Sequence, residues 1–355
     1  MKHLVKYYFS AINSKKRTPF LIKPNNFRLD LSISQPVLDA LEGIPTETTL
    51  SERAFLYFFF KNLWAGRHAV LEVGPFLGGT TRAIAMGMMA NPMANSEAKL
   101  ITFDRFRNYY STDQLKGFLQ GRLDSQFLQS LSSDGFLQIF NKFHEKMNYY
   151  HLLEIQDKSL PESISEANGT AIFRAPQGVL FDAVFVDGCK SWYSTKFFMK
   201  EVIESTVLGG YFIFQDYGCY TCFWISFFMA VFSDHFQLLS FVDDTYTFRY
   251  IKPLSQDQIE SHFPDEPYSI SIDEIQETFN HLYHSAIQRQ DNYAQVFTRL
   301  HCAAMLAYTD HKELAKRDLN QLFKTAHPRY HHKIKAALIS PTYKPNGRGG
   351  APVHL

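Results

Sequence analysis

The chain has 355 residues, of which 45% are hydrophobic and 15% aromatic, so it can bury the core of one large domain with helical additions. Lysine and arginine number 36 against 35 aspartate and glutamate residues, a balance that argues against a nucleic-acid partner. No apolar run is long enough to cross a bilayer, and the first residues lack a secretory cleavage pattern, so we expect a soluble, cytoplasmic protein without a membrane partner.

Residues 1–66 are predicted to form an irregular arm followed by a covering helix. Thr49 and Glu52 have the spacing of a capping box ahead of the apolar sequence AFLYFFFKNLW. The pattern therefore predicts a helix that begins after Thr49 and covers one edge of the core.

Residues 67–252 contain apolar segments of strand length that alternate with helical segments. Five predicted parallel strands lie at 68–74, 100–104, 150–155, 181–187 and 211–216. The sequences FQLLSFV and TYTFRYI then indicate an antiparallel hairpin. The prediction is an α/β fold, with a doubly wound, seven-stranded, mostly parallel sheet, a terminal antiparallel hairpin, and helical N- and C-terminal additions.

Three further segments complete the predicted organisation. Residues 105–148 are too long for an ordinary loop between two strands and are predicted to be a lid insertion. Strand patterns stop at about residue 253, and residues 253–340 are predicted to form a helical appendage. Residues 341–355 are rich in proline and glycine with little to bury, so a disordered tail is expected.

The sequence LEVGPFLGGTT, residues 71–81, follows the first predicted strand. A dinucleotide-binding turn would read G-x-G-x-x-G, whereas Gly74 and Gly78 are four residues apart. The Glu72 carboxylate would repel a pyrophosphate but could accept hydrogen bonds from an amine or a hydroxyl. The turn therefore favours a ligand with cationic or neutral polar groups over a nicotinamide nucleotide.

The sequence EVGPFLG from Glu72 to Gly78 resembles the first motif of class I S-adenosylmethionine-dependent methyltransferases, E/D-x-G-x-x-x-G. The resemblance implies that S-adenosylmethionine is the cofactor and that Asp104, at the end of the second strand, binds its ribose hydroxyls. The adenine-contacting segment of that family falls just after the third strand. The cofactor-binding residues implied by the resemblance are Glu72, Gly74, Gly78, Asp104, Gln156 and Asp157.

The segment from residue 181 to 217 resembles the corresponding block of small-molecule O-methyltransferases, including the catechol and macrolide-sugar families. In those families, acidic residues after the fourth and fifth strands hold a divalent cation, and Asp187 and Asp216 occupy these positions. Tyr217 stands where a third metal ligand is usual, so the aspartates either hold Mg²⁺ or bind the cofactor amine or acceptor hydroxyl directly. Lys190 stands where the catechol enzymes place the lysine that takes the acceptor's proton.

The resemblance implies a methyltransferase that methylates a hydroxyl group of a small molecule, with Asp187 and Lys190 in the catalytic site. The alternative is a catalytically silent S-adenosylmethionine-binding scaffold that acts through its helical appendage. The expected partners are a small-molecule acceptor and, as one option, a second copy of the chain.

Four cysteines are too few and too unevenly spread for a disulfide framework, which is typical of a reducing compartment. Cys219 and Cys222 form a C-x-x-C sequence, but no second pair follows at the spacing of a zinc site. Core packing is the favoured interpretation of this pair.

Overall fold

The computed structural model describes residues 33–107, 110–131, 135–346 and 350–355. The arm predicted for residues 1–32 lies outside the described residues. The helices are α1 (Gln35–Glu42), α2 (Leu50–Asn62), α3 (Gly79–Ala90), α4 (Thr112–Leu119), α5 (Ser125–Ser130), α6 (Leu137–His144), α7 (Trp192–Ile203), α8 (Phe223–Val231), α9 (Gln256–His262), α10 (Ile272–Gln288), α11 (Asn292–Tyr308), α12 (Lys312–Thr325) and α13 (His331–Ile339). Among the described residues, no helix combines the length and the apolar character needed to cross a membrane.

The predicted capping box is present at the start of α2. The Thr49 side chain accepts a hydrogen bond from the Glu52 N–H at 3.1 Å, and Glu52 Oε2 accepts one from the Thr49 N–H at 2.8 Å. Glu52 also accepts a hydrogen bond from Thr245 Oγ1 at 2.8 Å, which joins the helix start to the last strand of the main sheet. The local sequence therefore sets where α2 begins, and the tertiary contact fixes where it packs.

The main sheet has seven strands in the order β3-β2-β1-β4-β5-β7-β6. Strands β1 to β5 are parallel, and β7 pairs antiparallel with both β5 and β6. The strands are β1 (Ala69–Val73), β2 (Leu100–Asp104), β3 (Leu153–Asp157), β4 (Phe181–Val186), β5 (Thr206–Phe214), β6 (Phe236–Val242) and β7 (Thr245–Tyr250). This topology confirms the predicted fold class.

Helices cover both faces of the sheet because consecutive side chains of each strand point in opposite directions. On one face, Val70 and Phe185 pack in the cluster that contains α2 and α3. On the other face, Leu71 and Val186 pack in the larger cluster that contains α7 and α8. A strand buried on both sides needs a nearly continuous apolar sequence, which explains the apolar runs at β1 and β4.

The segment between β2 and β3 contains α4, α5 and α6. Its buried side chains, including Leu115 and Phe140, form a separate apolar cluster with Leu77 from the turn after β1. The insertion is thus anchored on that turn, and its role as a lid stays a prediction.

Helices α9 to α13 share the main core with the sheet. The Phe263 ring stacks on Trp192 with centroids 4.2 Å apart, and Phe297 packs edge-on against Tyr217 at 5.8 Å. Tyr308 contacts Phe223 of α8 at 5.5 Å. The predicted boundary at residue 253 therefore runs through one continuous apolar cluster.

The prediction of a disordered tail is wrong for the described residues between 341 and 355. Strands β8 (Thr342–Lys344) and β9 (Ala351–Val353) pair antiparallel. Thr342 Oγ1 donates a hydrogen bond to the Thr221 carbonyl at 2.9 Å, and Val353 is buried in the main core. The tail is ordered by what it docks against, which its own composition does not reveal.

Candidate functional site

A cavity of about 510 Å³ lies at the carboxyl edge of the parallel strands. Each of the first five strands contributes one of its lining residues, either at the last position of the strand or in the segment that follows it. These residues are Gly74, Asp104, Ser159, Asp187 and Asp216. Since the carboxyl ends of parallel strands meet at one edge of a sheet, segments far apart in the chain converge there. This is the usual place for a ligand in an open α/β sheet.

Gly74 lies in the turn after β1 with a φ of +78°, a conformation that favours glycine. A Cβ atom at this position would lie 2.7 Å from the Asp187 carbonyl oxygen. Gly74 therefore lets β1 and the end of β4 approach closely at the floor of the cavity, where the prediction placed it.

Glu72 does not line the cavity. Its side chain is fully buried, and its carboxylate accepts hydrogen bonds from Thr80 Oγ1 at 2.7 Å and Thr81 Oγ1 at 2.6 Å. Burial raises the pKa of Glu72, against the lowering effect of the two threonine hydroxyls. Glu72 thus ties β1 to the first turn of α3, and its predicted cofactor contact stays a prediction.

Gly78 also lies outside the cavity lining. It has a φ of +91° and directly precedes α3, and a Cβ atom there would lie 1.9 Å from His144 Nε2 of α6. Its predicted cofactor contact likewise stays a prediction. The absence of a side chain at Gly78 lets the insertion pack on the turn.

Asp104, the last residue of β2, lies where the sequence predicted it. Its Oδ1 accepts a hydrogen bond from the Phe106 N–H at 2.9 Å, which orients the carboxyl group. Burial raises the pKa of Asp104, and the Phe106 N–H and the charge of Arg105 oppose that effect. Asp104 and Gly74 thus line the same cavity from adjacent strands.

Gln156 and Asp157 do not line the cavity. Gln156 Nε2 donates to Glu154 Oε1 at 2.7 Å, and Asp157 forms an ion pair with Arg107 at 2.9 Å on the surface. The strand extends two residues further than predicted, so its last side chains lie along the sheet edge. The residues that line the cavity here come slightly later: Lys158, Ser159, Leu160 and Glu162.

Sequence reasoning missed Glu162. Its Oε2 atom is buried and has no hydrogen-bond partner within the described part of the chain. A carboxylate oxygen in this condition favours a ligand that brings a donor, because an unpaired buried oxygen costs free energy. No local pattern distinguishes Glu162 from the neighbouring polar residues of its loop.

Lys190 joins the two aspartates that follow β4 and β5. Its Nζ donates to Asp187 Oδ1 at 2.8 Å and also to Asp216 Oδ2. The Gln215 amide, oriented with its nitrogen toward the carboxylates, donates to Asp187 at 3.0 Å and to Asp216 at 2.7 Å. The carboxylates are largely covered, whereas half of the Lys190 side chain is exposed.

The ion pairs determine the protonation state of this cluster. Burial alone would lower the pKa of Lys190, but Asp187 and Asp216 raise it well above its ordinary value. Burial raises the pKa of Asp187 to about 7, although Lys190 opposes this effect. Lys190 is therefore an ammonium donor at neutral pH, which does not fit its predicted role as proton acceptor.

The donor set does not fit Mg²⁺. The Lys190 ammonium group lies between Asp187 and Asp216, where a cation would have to bind both. Tyr217 packs against the Tyr246 ring at 4.7 Å and is buried. Across the residues that the structure describes, no three His, Cys, Asp or Glu side chains are grouped to hold a metal ion. The predicted magnesium site is corrected to a salt-bridged cluster.

Two segments outside the parallel strands also line the cavity. Thr46 and Glu47 come from the segment between α1 and α2. Tyr343 and Pro345 come from the C-terminal hairpin. These residues carried no recognisable motif, because their position depends on how the two segments pack against the rest of the chain.

No protein-family model matches the sequence, and no curated protein does. The solved structures that match include the O-methyltransferase NovP, with 15% identity over 58% of this chain and 82% of that one and a TM-score of 0.39. The calicheamicin methyltransferase CalS11 matches with 12% identity over 62% and 88% of the two chains and a TM-score of 0.41. The O-methyltransferase TomG from Streptomyces achromogenes, solved in complex with SAM, matches with 12% identity over 62% and 90% and a TM-score of 0.37.

Proposed function

We propose that the protein is an S-adenosylmethionine-dependent methyltransferase that methylates a hydroxyl group of a small molecule. The observation that carries the proposal is that Gly74 and Asp104 line one cavity from the ends of adjacent parallel strands. Gly74 lets the ends of β1 and β4 come close together at the cavity floor, and the Asp104 carboxylate can accept hydrogen bonds from ribose hydroxyls. The glycine spacing of the turn also disfavours a pyrophosphate ligand.

The residues after β4 and β5 would bind the acceptor. S-adenosylmethionine supplies an activated methyl group when bound, so the chain's main task is to position the acceptor oxygen. The protonated Lys190 can orient that oxygen, and Asp187, whose pKa lies near 7, is better suited than Lys190 to accept its proton. Asp216 and Gln215 hold both groups in place.

Calorimetry with S-adenosylhomocysteine tests the cofactor assignment. We expect the wild type to bind and Asp104→Ala to bind at least tenfold more weakly, because the ribose contact is lost. Asp157→Ala is the matched control, since that carboxylate lies outside the cavity on the neighbouring strand. Absent binding to the wild type, or equal losses in both variants, would contradict the proposal.

A panel of phenols, sugars and hydroxylated natural products tests the acceptor class. We expect methyl transfer to at least one of them and a kcat lowered roughly 100-fold by Asp187→Asn, in line with the loss of a general base. Cofactor binding without turnover on the whole panel would instead favour the silent scaffold.

We also infer that the protein works in the cytoplasm. Cys189, Cys219, Cys222 and Cys302 are all free thiols, which fits a reducing compartment. A homo-oligomer stays a prediction, which sedimentation of the full chain would decide.

A further inference from the structure

Two cysteines lie in the wall of the cavity, and neither is among the groups assigned to methyl transfer. Cys219 and Cys222 both line the cavity. The Cys222 N–H donates a hydrogen bond to the Cys219 carbonyl at 3.1 Å, which closes a turn. A turn of this type holds its end Cα atoms within about 7 Å of each other, and disulfides span about 4.4–6.8 Å.

The two sulfur atoms both lie near the Thr221 hydroxyl group. Thr221 Oγ1 is 3.3 Å from Cys219 Sγ and 3.7 Å from Cys222 Sγ. Cys219 is partly exposed, whereas Cys222 is only 5% exposed and directly precedes α8. An external reagent can therefore reach Cys219 more easily than Cys222.

The two thiols also differ in acidity. A hydrogen bond from the Cys222 thiol lowers the pKa of Cys219, against burial and the charge of Asp216, which raise it. That hydrogen bond, together with burial, raises the pKa of Cys222 well above its ordinary value. A partly exposed thiol with a lowered pKa beside a buried thiol with a raised pKa matches the attacking and resolving pair of a dithiol site.

Tertiary contacts hold the turn in this shape in the folded chain. Nε2 of His301, in α11, donates a hydrogen bond to the Cys219 carbonyl at 2.7 Å. Oγ1 of Thr342, in the C-terminal hairpin, donates a hydrogen bond to the Thr221 carbonyl at 2.9 Å. The two cysteines are thus preorganised in the native state, a condition that an unfolded chain does not meet.

We propose that Cys219 and Cys222 are a redox-modification site that forms a reversible intramolecular disulfide by exchange with a small disulfide of the glutathione type. The Cys219 thiolate attacks one sulfur of the oxidant and expels the first glutathione thiolate. Cys222 then loses its proton and attacks Cys219 Sγ, which expels the second. The two protein sulfurs together lose two electrons, and the oxidant becomes two thiols that take up the two released protons.

Redox titration of the full-length wild type tests the proposal. The folded chain is equilibrated at several ratios of oxidised to reduced glutathione, quenched in acid, alkylated and analysed by peptide mass spectrometry. We expect a Cys219–Cys222 disulfide to form in the folded chain. It should persist at more reducing glutathione ratios than the Cys219–Cys222 disulfide of the chain unfolded in urea. Cys189 and Cys302 should stay reduced, since both are buried and neither belongs to a C-x-x-C pair.

Two variants test the order of attack. Cys222→Ser should accumulate a glutathione mixed disulfide on Cys219, because the resolving thiol is gone. In Cys219→Ser, glutathione should modify Cys222 at least tenfold more slowly than it modifies Cys219 in Cys222→Ser, because the Cys222 thiol is buried. Wild type that keeps both thiols at the most oxidising ratio, or a pair that oxidises equally well in urea, would overturn the proposal. Neither readout depends on methyl transfer, so this site and the proposed function succeed or fail separately.

Discussion

At the scale of single residues, the turn after β1 separates groups that face the ligand from groups that hold the turn. Gly74 reaches the cavity, whereas Glu72 and Gly78 contact other parts of the protein. All three stand in one short motif, and the motif alone does not distinguish these roles. The difference arises because Thr80 and Thr81 turn back onto Glu72, and His144 of a distant helix covers Gly78.

Gly74→Ala tests the close approach at the cavity floor. The new Cβ would meet the Asp187 carbonyl at 2.7 Å, in a backbone conformation unfavourable for alanine. We expect a loss of about 1–3 kcal/mol in the free energy of unfolding, measured in urea, together with weaker binding of S-adenosylhomocysteine. Gly117→Ala in α4 is the control, because open space surrounds that position and alanine should stabilise the helix there. Equal effects of the two variants would contradict this explanation.

The buried Glu52 carboxyl group should make the free energy of unfolding depend on pH. Burial raises its pKa to about 7, from 4.5 for an unperturbed glutamate. The folded chain thus keeps a proton between these values that the unfolded chain has lost, so the contribution to stability is complete below pH 4.5. It is lost as the pH rises through about 7, and amounts to roughly 3 kcal/mol.

The variant Glu52→Gln should flatten the fall in the free energy of unfolding between pH 5 and pH 8. The amide can still accept from the Thr49 N–H and donate to Thr245 Oγ1, so the helix cap survives. Glu97→Gln changes an exposed glutamate and serves as the control. A pH profile of Glu52→Gln that parallels the wild type would refute the assignment.

At the scale of elements, the C-terminal hairpin shows how docking orders a segment with little to bury. Strands β8 and β9 are three residues each, too short to be stable as an isolated hairpin. The hydrogen bond from Thr342 to Thr221 and the burial of Val353 hold them on the main core. Because Tyr343 lines the cavity, order in this hairpin also shapes the candidate acceptor site.

Thr342→Val should loosen the hairpin by removing that hydrogen bond while keeping the shape of the side chain. The Thr221 carbonyl then lacks its donor, at a cost of about 1–3 kcal/mol. Hydrogen exchange at the described amides of residues 342–355 should become about 10-fold faster or more, whereas Thr342→Ser should exchange like the wild type. Unchanged exchange in Thr342→Val would mean that this hydrogen bond does not anchor the hairpin.

At the scale of the whole molecule, the sheet and the C-terminal helices depend on one another. Trp192 of α7 is covered by Phe263, which follows α9, and Phe223 of α8 is covered by Tyr308 of α11. Removing the helices would expose large aromatic side chains on the face of α7 and α8. The chain is therefore expected to unfold as one cooperative unit.

Phe263→Ala tests this coupling. Truncation of a fully buried phenylalanine should cost about 3–5 kcal/mol, and fluorescence and circular dichroism should still follow a single urea transition. Phe118→Ala, at a half-exposed ring, should cost much less. Two separate transitions in Phe263→Ala would show that the C-terminal helices unfold independently of the sheet.

The sequence by itself determined the fold class, the start of α2 and five of the residues that line the cavity. Apolar runs on strands buried on both faces and the Thr49–Glu52 cap are local patterns. Such patterns also locate the strand ends near which the five predicted cavity residues stand: Gly74, Asp104, Asp187, Lys190 and Asp216. Only the tertiary structure decided that Lys190 is held between Asp187 and Asp216, that Glu162 enters the cavity and that the C-terminal hairpin forms a wall. These features depend on distances between segments far apart in the chain, and such distances are set by packing rather than by any local pattern.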